Sequence, residues 1–533
     1  MVKTRILAAL ISILVATATP HSTGAAVLLA PADEQAAKAA LDSADAGRWA
    51  QARSQAEKIK DPVTRKLIRW MDYTRSDSGV TFAEISAFIK ENPTWPETSA
   101  LLRRAEEAIS SSSMNPEQIL GWFQAHHPVS MIGWTRYADA LLAAGRTEMG
   151  RTVLRETWID GNMSAAEEKS FYDKYRKHLT QADHIARTDR LLWEGRSDQA
   201  KRMIFKLPAD YRLLAETRLQ LMRKEGNVDR AIAKVPDSLK NDQGLLYDRI
   251  RWRRRTGKIP GAVELLAAAD SQKYPQKWWV ERAALARESL ERGNITDAYR
   301  LASQHGLKDG AAYADAEWLA GWIALRFLND LDVAVQHFTA LHASVEFPVS
   351  RARGAYWVGR AEDARGNSEK ARHWYALAAA NPTTYYGQLA SDAIYPGKGI
   401  DIPVDPHPSD AEVKAFEAHE LVKAVRILSI AGKSKFIRPF VLRLSDLNDT
   451  PTWGAMSALL ARSYGNLDLG ITVAKRLNRS GATLIQAGYP LGDPWVKPSE
   501  PKSAKVELPL VLAVIRQESS FRPEAVSSAG AQG

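Results

Sequence analysis

The residues best placed to do chemistry lie in one run near the C-terminal end, LPLVLAVIRQESSFRPEAVSSAGAQG, from Leu508 to Gly533. Pro509 suits the first position of a helix, where its missing N–H costs nothing. Leu510, Val511, Leu512, Ala513, Val514 and Ile515 follow, apolar on every side, the pattern of a helix buried within a bundle. Glu518 stands four residues after Val514 and three after Ile515, so it continues that apolar face. A carboxyl held there is expected to be partly desolvated, and desolvation favours the neutral acid. A carboxylic acid still protonated near neutral pH is what a general acid needs. By position alone, a single Glu at a helix end is more often a solvated terminal charge. No other chemistry competes with it. The chain has no G-x-x-x-x-G-K, G-x-G-x-x-G, H-E-x-x-H or G-x-S-x-G. His126-His127 and the remaining histidines lack ligand spacing, so neither a metal nor any other cofactor is expected. There is no cysteine, which excludes disulfides, thiolate metal sites, cysteine nucleophiles and an acylated lipoprotein anchor.

The residues around Glu518 add a resemblance. Glu518-Ser519, Phe521, Pro523, Ala525-Val526-Ser527 and Gly530-Ala531-Gln532-Gly533 are similar to the start of the catalytic domain of the soluble lytic murein transglycosylases. That family has a lysozyme-like helical catalytic domain and cuts peptidoglycan. The resemblance implies that Glu518 alone serves as acid and then as base. It would protonate the glycosidic oxygen between N-acetylmuramic acid and N-acetylglucosamine, then take the proton from the muramic acid 6-hydroxyl, giving a 1,6-anhydro end. It implies substrate contacts from Ser527 and Ser519, the latter also fixing the helix end. Gly530 and Gly533 would permit the tight backbone that follows. Glu524, beyond Pro523, matches no family motif and reads as a surface charge. In the family the motif runs on into a Leu-Met-Gln segment and the rest of the groove. The sequence here stops at Gly533, so the chain as given is expected to be inactive. Two other functions fit the same residues: a non-catalytic exported scaffold that binds peptidoglycan or wall proteins, and a goose-type lysozyme that hydrolyses the same bond.

Composition sets the frame. With 533 residues, several domains or a repeat array are expected. Hydrophobic residues at 45% and charged residues at 25% are the balance of a folded soluble protein. Residues 1–26 read as a secretory signal: Lys3 and Arg5 precede an apolar run from Ile6 to Ala16, and Gly24-Ala25-Ala26 offers small residues for cleavage. A short membrane anchor is the alternative, but no stop-transfer pattern follows. Export to the periplasm without stable membrane insertion is expected. The net charge of +10 favours an acidic polymer as partner. Peptidoglycan strands, and other cell-wall enzymes, suit an exported protein better than nucleic acid does. The basic run Arg251-Trp252-Arg253-Arg254-Arg255 is expected to be a solvated helix face.

An all-α fold must position Glu518. Good helix formers dominate, and no sustained period-two alternation argues for a sheet. A glycine followed five residues later by Ala or Gly recurs at Gly47/Ala52, Gly145/Gly150, Gly195/Ala200, Gly226/Ala231, Gly257/Ala262, Gly293/Ala298, Gly366/Ala371 and Gly465/Gly470, with Asn329/Ala334 as a variant. Each reads as an αα-hairpin: the glycine ends one helix in the left-handed conformation, and the small residue lets the next helix approach. The stretches from Trp318 to Phe338 and from Tyr356 to Trp374 look like diverged copies of one unit, at a spacing near that of tetratricopeptide-type repeats. A helical-hairpin superhelix is therefore expected over residues 27–395, with Trp318, Trp322, Trp357 and Trp374 as packing residues. One of Trp278-Trp279 is expected to be exposed, because adjacent residues cannot share a helix face. Thr384-Tyr385-Tyr386-Gly387-Gln388-Leu389-Ala390 resembles a segment near the end of the family's superhelix and reads as structural. Pro396, Pro403, Pro406 and Pro408 mark a boundary, and Ser409 with Glu412 forms a capping box for the next helix. A helical linker domain over 396–488 and the start of a lysozyme-like domain over 489–533 complete the expected order.

Overall fold

The computed structural model describes residues 28–491 and 507–531, apart from 267, 268, 270–272, 449 and 528. The expected signal at 1–26, and Gln532 and Gly533 of the resemblance, lie outside the described residues. Among those described, the chain is all-α, with no strand. No described helix is long and apolar enough to cross a membrane.

The recurrent glycines set the hairpin turns. Gly47, Gly145, Gly195, Gly257, Gly293, Gly366 and Gly465 have φ between 75° and 79°. The residue after each donates its N–H five positions back into the preceding helix: Arg48 to Ser43 O and Asn294 to Ser289 O, each at 2.8 Å. This is the Schellman closure that satisfies the carbonyls of a helix end. The next helix starts at once, as at Trp49, Thr147 and Ile295. Its small residue is enclosed: Ala52, Ala200, Ala262 and Ala298 are all fully buried. Two turns depart from this form. Near Gly226 the cap is Lys224, at φ 58°, with Glu225 N bonded to Gln220 O at 3.1 Å. Before Asn329, at φ 54°, the helix widens into a π turn over Ala324–Leu328.

Successive hairpins are tied by charges held out of water. Arg187 is fully buried and pairs with Glu168 at 3.2 Å. Arg218 pairs with Asp248 at 2.8 Å and with Asp189 at 2.7 Å. Such buried charges persist only when paired. The basic run 251–255 takes part in this and is not the solvated face expected. Arg254 Nε reaches the buried Glu281 at 2.6 Å, Arg253 Nη1 donates to Gly261 O at 2.7 Å, and only Arg255 of the run is exposed. Trp278 and Trp279 are both buried, against expectation, because helix Pro275–Glu291 has neighbours on more than one side. Each indole finds an acceptor on a different side: Trp278 Nε1 donates to Lys273 O at 3.0 Å and Trp279 Nε1 to Asp315 Oδ2 at 3.1 Å. Trp318, Trp322, Trp357 and Trp374 pack between hairpins, as expected. Thr384 is buried and caps helix Tyr385–Ile394, accepting from Gly387 N at 3.0 Å.

Glu317 joins four elements. Its Oε1 accepts from His305 Nε2 at 2.9 Å and its Oε2 from His337 Nδ1 at 2.7 Å, while His337 Nε2 meets Tyr299 Oη at 3.0 Å. Burial works against the carboxylate, but the bonds from His305 and then His337 outweigh it and hold Glu317 down to about 2. A depressed carboxylate pKa adds stability above its unfolded value that is lost as pH falls through the folded one. Wild type is therefore expected to lose up to ~3 kcal/mol between about pH 4.5 and pH 2 through this group. Thermal melts of Glu317→Gln should lack that increment; identical pH profiles for the two proteins would refute it.

The array closes on itself. Helices Pro31–Asp45, Pro62–Thr74 and Thr98–Ala108 share one hydrophobic core with helices Glu420–Ile430, Ile437–Asp446 and Pro451–Ser463. Phe440 packs edge-on against Trp70 at 4.7 Å and Trp95 at 5.5 Å. Around this core Lys66 pairs with Glu420 at 2.6 Å and Lys433 with Asp42 at 2.7 Å, and Lys423 pairs with Asp61. Residues 395–409 contain no helix, and helix Asp410–Glu417 then opens with the Ser409/Glu412 capping box.

Candidate functional site

Helix Leu508–Glu518 carries the candidate acid on its last residue, with Pro509 in its first turn. Glutamate at a helix C-terminus opposes the helix dipole, so local structure does not favour it there. Ser519 closes the helix: its N–H bonds Ile515 O at 3.0 Å and its hydroxyl donates to the same carbonyl at 3.2 Å. Ser520 and Phe521 follow with φ of 52° and 63°, two consecutive left-handed residues without a glycine. Each such residue costs on the order of 1 kcal/mol and needs its surroundings to hold it.

Arg516 anchors the helix. Its Nε donates to Gly488 O at 2.6 Å, and its guanidinium lies 4.2 Å from the centre of the Tyr489 ring. Lys475 Nζ donates to Ser520 Oγ at 3.3 Å, fixing the turn after the helix to helix Leu467–Arg479. Burial, then the neighbouring Arg516 charge, lowers the Lys475 ammonium. The sequence does not mark Arg516 or Lys475 as site residues. Nothing local marks them, because their partners lie elsewhere along the chain. Arg516→Ala is expected to free the helix from the linker. Backbone hydrogen exchange over 508–518 should then speed up while that of Leu467–Arg479 does not; unchanged exchange at 508–518 would count against the anchor.

The structure places the other expected site residues as follows. Ser527 Oγ accepts from Ala531 N at 3.0 Å and Ala529 N at 3.3 Å, and Ser527 N donates to Ala531 O at 2.8 Å. The hydroxyl thus closes its own loop and keeps its one hydrogen to donate. Gly530 sits within that loop at φ 84°, a conformation that glycine adopts without a steric penalty. Ser527 and Glu524 are exposed. Glu518 is exposed as well, and its carboxyl has no hydrogen bond or ion pair among the described residues. The partial desolvation expected of it is absent, for a simple reason. Only Leu512 of the helix is buried, while Leu508, Leu510 and Val514 are 44%, 58% and 52% exposed. The apolar face that leads to Glu518 is half open: Val511 and Ile515 are half-buried and Val514 is exposed. No group of three His, Asp or Glu residues among the described residues could hold a metal ion.

Residues 499–533 match the family model of the Transglycosylase SLT domain. No curated protein sequence matches the chain. Among solved structures it is similar to the 70-kDa soluble lytic transglycosylase of Escherichia coli, with a TM-score of 0.63 and 15% identity, over 94% of this chain and 79% of that one. It is also similar to an inactive Glu-to-Gln mutant of the lytic transglycosylase Slt of Pseudomonas aeruginosa, with a TM-score of 0.67 and 17% identity, over 95% of this chain and 80% of that one. The chain thus has the all-helical fold of the soluble lytic transglycosylases, and its segment 499–533, which holds Glu518, matches the transglycosylase SLT domain.

Proposed function

We propose that this protein is a periplasmic peptidoglycan lytic transglycosylase that cleaves the bond between N-acetylmuramic acid and N-acetylglucosamine and leaves a 1,6-anhydro end. The observation that carries this is the place of Glu518: it ends an apolar helix, within the segment that matches the transglycosylase SLT domain. As the acid, Glu518 gives its proton to the glycosidic oxygen while the C1–O bond breaks. As the carboxylate, it takes the proton of the 6-hydroxyl while that oxygen closes onto C1. The two steps return the carboxyl to its starting state and consume no water, so one residue suffices where hydrolases use two. In this reading the exposed hydroxyl of Ser527, with its hydrogen free, donates to the glycan, and Ser519 holds the end of the acid's helix.

General acid catalysis at neutral pH also needs a desolvated carboxyl. With Leu508, Leu510 and Val514 open to solvent, we expect the 533-residue chain alone to release no anhydro product and to become competent only when that face is covered. The test is incubation with purified sacculi and analysis of the released muropeptides. Anhydro ends support the transglycosylase reading, reducing ends mean hydrolysis, and anhydro release by the 533-residue chain alone would refute the need for cover.

A further inference from the structure

The first two hairpins form a cleft of about 490 Å³ between helix Trp49–Glu57, helix Pro62–Thr74 and the turn that follows, within the usual size range of small-ligand sites. Its carboxylates are nearly all committed. Both oxygens of the buried Asp72 are taken, by Arg53 Nε at 2.6 Å and Arg75 Nε at 2.8 Å. Glu84 Oε2 accepts from Thr81 Oγ1 at 2.6 Å and Thr81 N at 2.9 Å, bonds that hold the carboxyl below its ordinary range. Arg53 also donates through Nη2 to Ser78 O at 2.9 Å. The cations are not all committed. Arg65 and Arg69 both line the cleft, and neither guanidinium has a hydrogen bond or ion pair with any described residue.

Arg65 and Arg69 stand one turn apart on the same helix face, where like charges repel. Two free guanidiniums so placed offer paired N–H donors, the geometry that suits a carboxylate. The exposed Glu57 is the one lining carboxylate without a partner among the described residues, so the uncommitted charge of the cleft is positive. Ala56, Ile68 and Val80 supply an apolar wall beside these donors.

We propose that this cleft binds the free carboxylate of a short peptide end, with Arg65 and Arg69 holding the carboxylate and Ala56, Ile68 and Val80 against the aliphatic body. Under the reading of peptidoglycan as substrate, on which the source of the ligand rests, the site holds the peptide carboxylates of the wall on the superhelix, apart from Glu518.

Calorimetry of the full chain with N-acetyl-alanyl-alanine and with its C-terminal amide tests the chemistry. The acid should bind at least about tenfold more tightly than the amide, because charge-assisted bonds are lost with the charge. Arg65→Gln with Arg69→Gln should erase that preference, while Arg151→Gln with Arg292→Gln, a control of equal charge, should keep it. Equal binding of acid and amide, no effect of the double substitution, or inorganic phosphate binding as tightly as the acid would each overturn the site. Sedimentation with native and carbodiimide-amidated sacculi tests the source. Binding should fall on amidation and in Arg65→Gln/Arg69→Gln, and unchanged binding would overturn the wall as source. Product analysis separates this from the catalytic reading: anhydro products without carboxylate preference sink the site alone, and carboxylate preference with hydrolytic products sinks the transglycosylase reading alone.

Discussion

Glu518→Gln should abolish the release of 1,6-anhydro muropeptides in any form of this protein that shows that activity. Glutamine keeps the size of the side chain and can hydrogen-bond, but it can neither give nor take the proton. General acid–base catalysis by one group is worth roughly 10²–10⁴-fold. Here the same group serves both the protonation and the ring closure, so the loss should reach the upper end of that range or more. The fold should be almost untouched. Glu518 is exposed, ends its helix and has no side-chain partner among the described residues, so its replacement breaks no contact. Unchanged far-UV circular dichroism with lost activity is the expected pair of results. Residual activity within about tenfold of wild type would mean that another group supplies the proton.

Phe440→Ala should loosen the closure of the array. Phe440 is fully buried and lies edge-on to both Trp70 and Trp95, so one ring joins the linker helices to the first hairpins. Removing a buried Phe side chain costs about 3–5 kcal/mol, in lost transfer energy and in the cavity left behind. The surrounding ion pairs should not make good that loss. Lys66 and Glu420 keep 28% and 31% of their side-chain surface exposed, and pairs so open to water contribute little. The expected result is a lower denaturant midpoint, with faster hydrogen exchange confined to helices Pro62–Thr74 and Ile437–Asp446. An unfolding free energy within about 1 kcal/mol of wild type would show that the closure does not depend on this contact.

The hairpins, the capping box at Ser409 and the position of Glu518 at the end of an apolar helix were legible in the sequence. The physical reason is that each is set by short-range sterics and hydrogen bonding. A left-handed glycine such as Gly293 ends its helix whatever surrounds it, and the residue five further on, Ala298, must be small for the next helix to approach. What surrounds a helix is a different matter. Whether Trp278 and Trp279 are both buried depends on neighbours that no local pattern names. The same holds for Arg254, whose partner Glu281 lies on the next hairpin. The closure of the array rests on pairs such as Lys66 and Glu420, separated by 354 positions. The sequence put an acid where an apolar face could desolvate it. Only the tertiary structure decided that this face is half open and that Arg516 holds its helix to Gly488 and Tyr489, because burial and docking are properties of the elements that come to lie alongside.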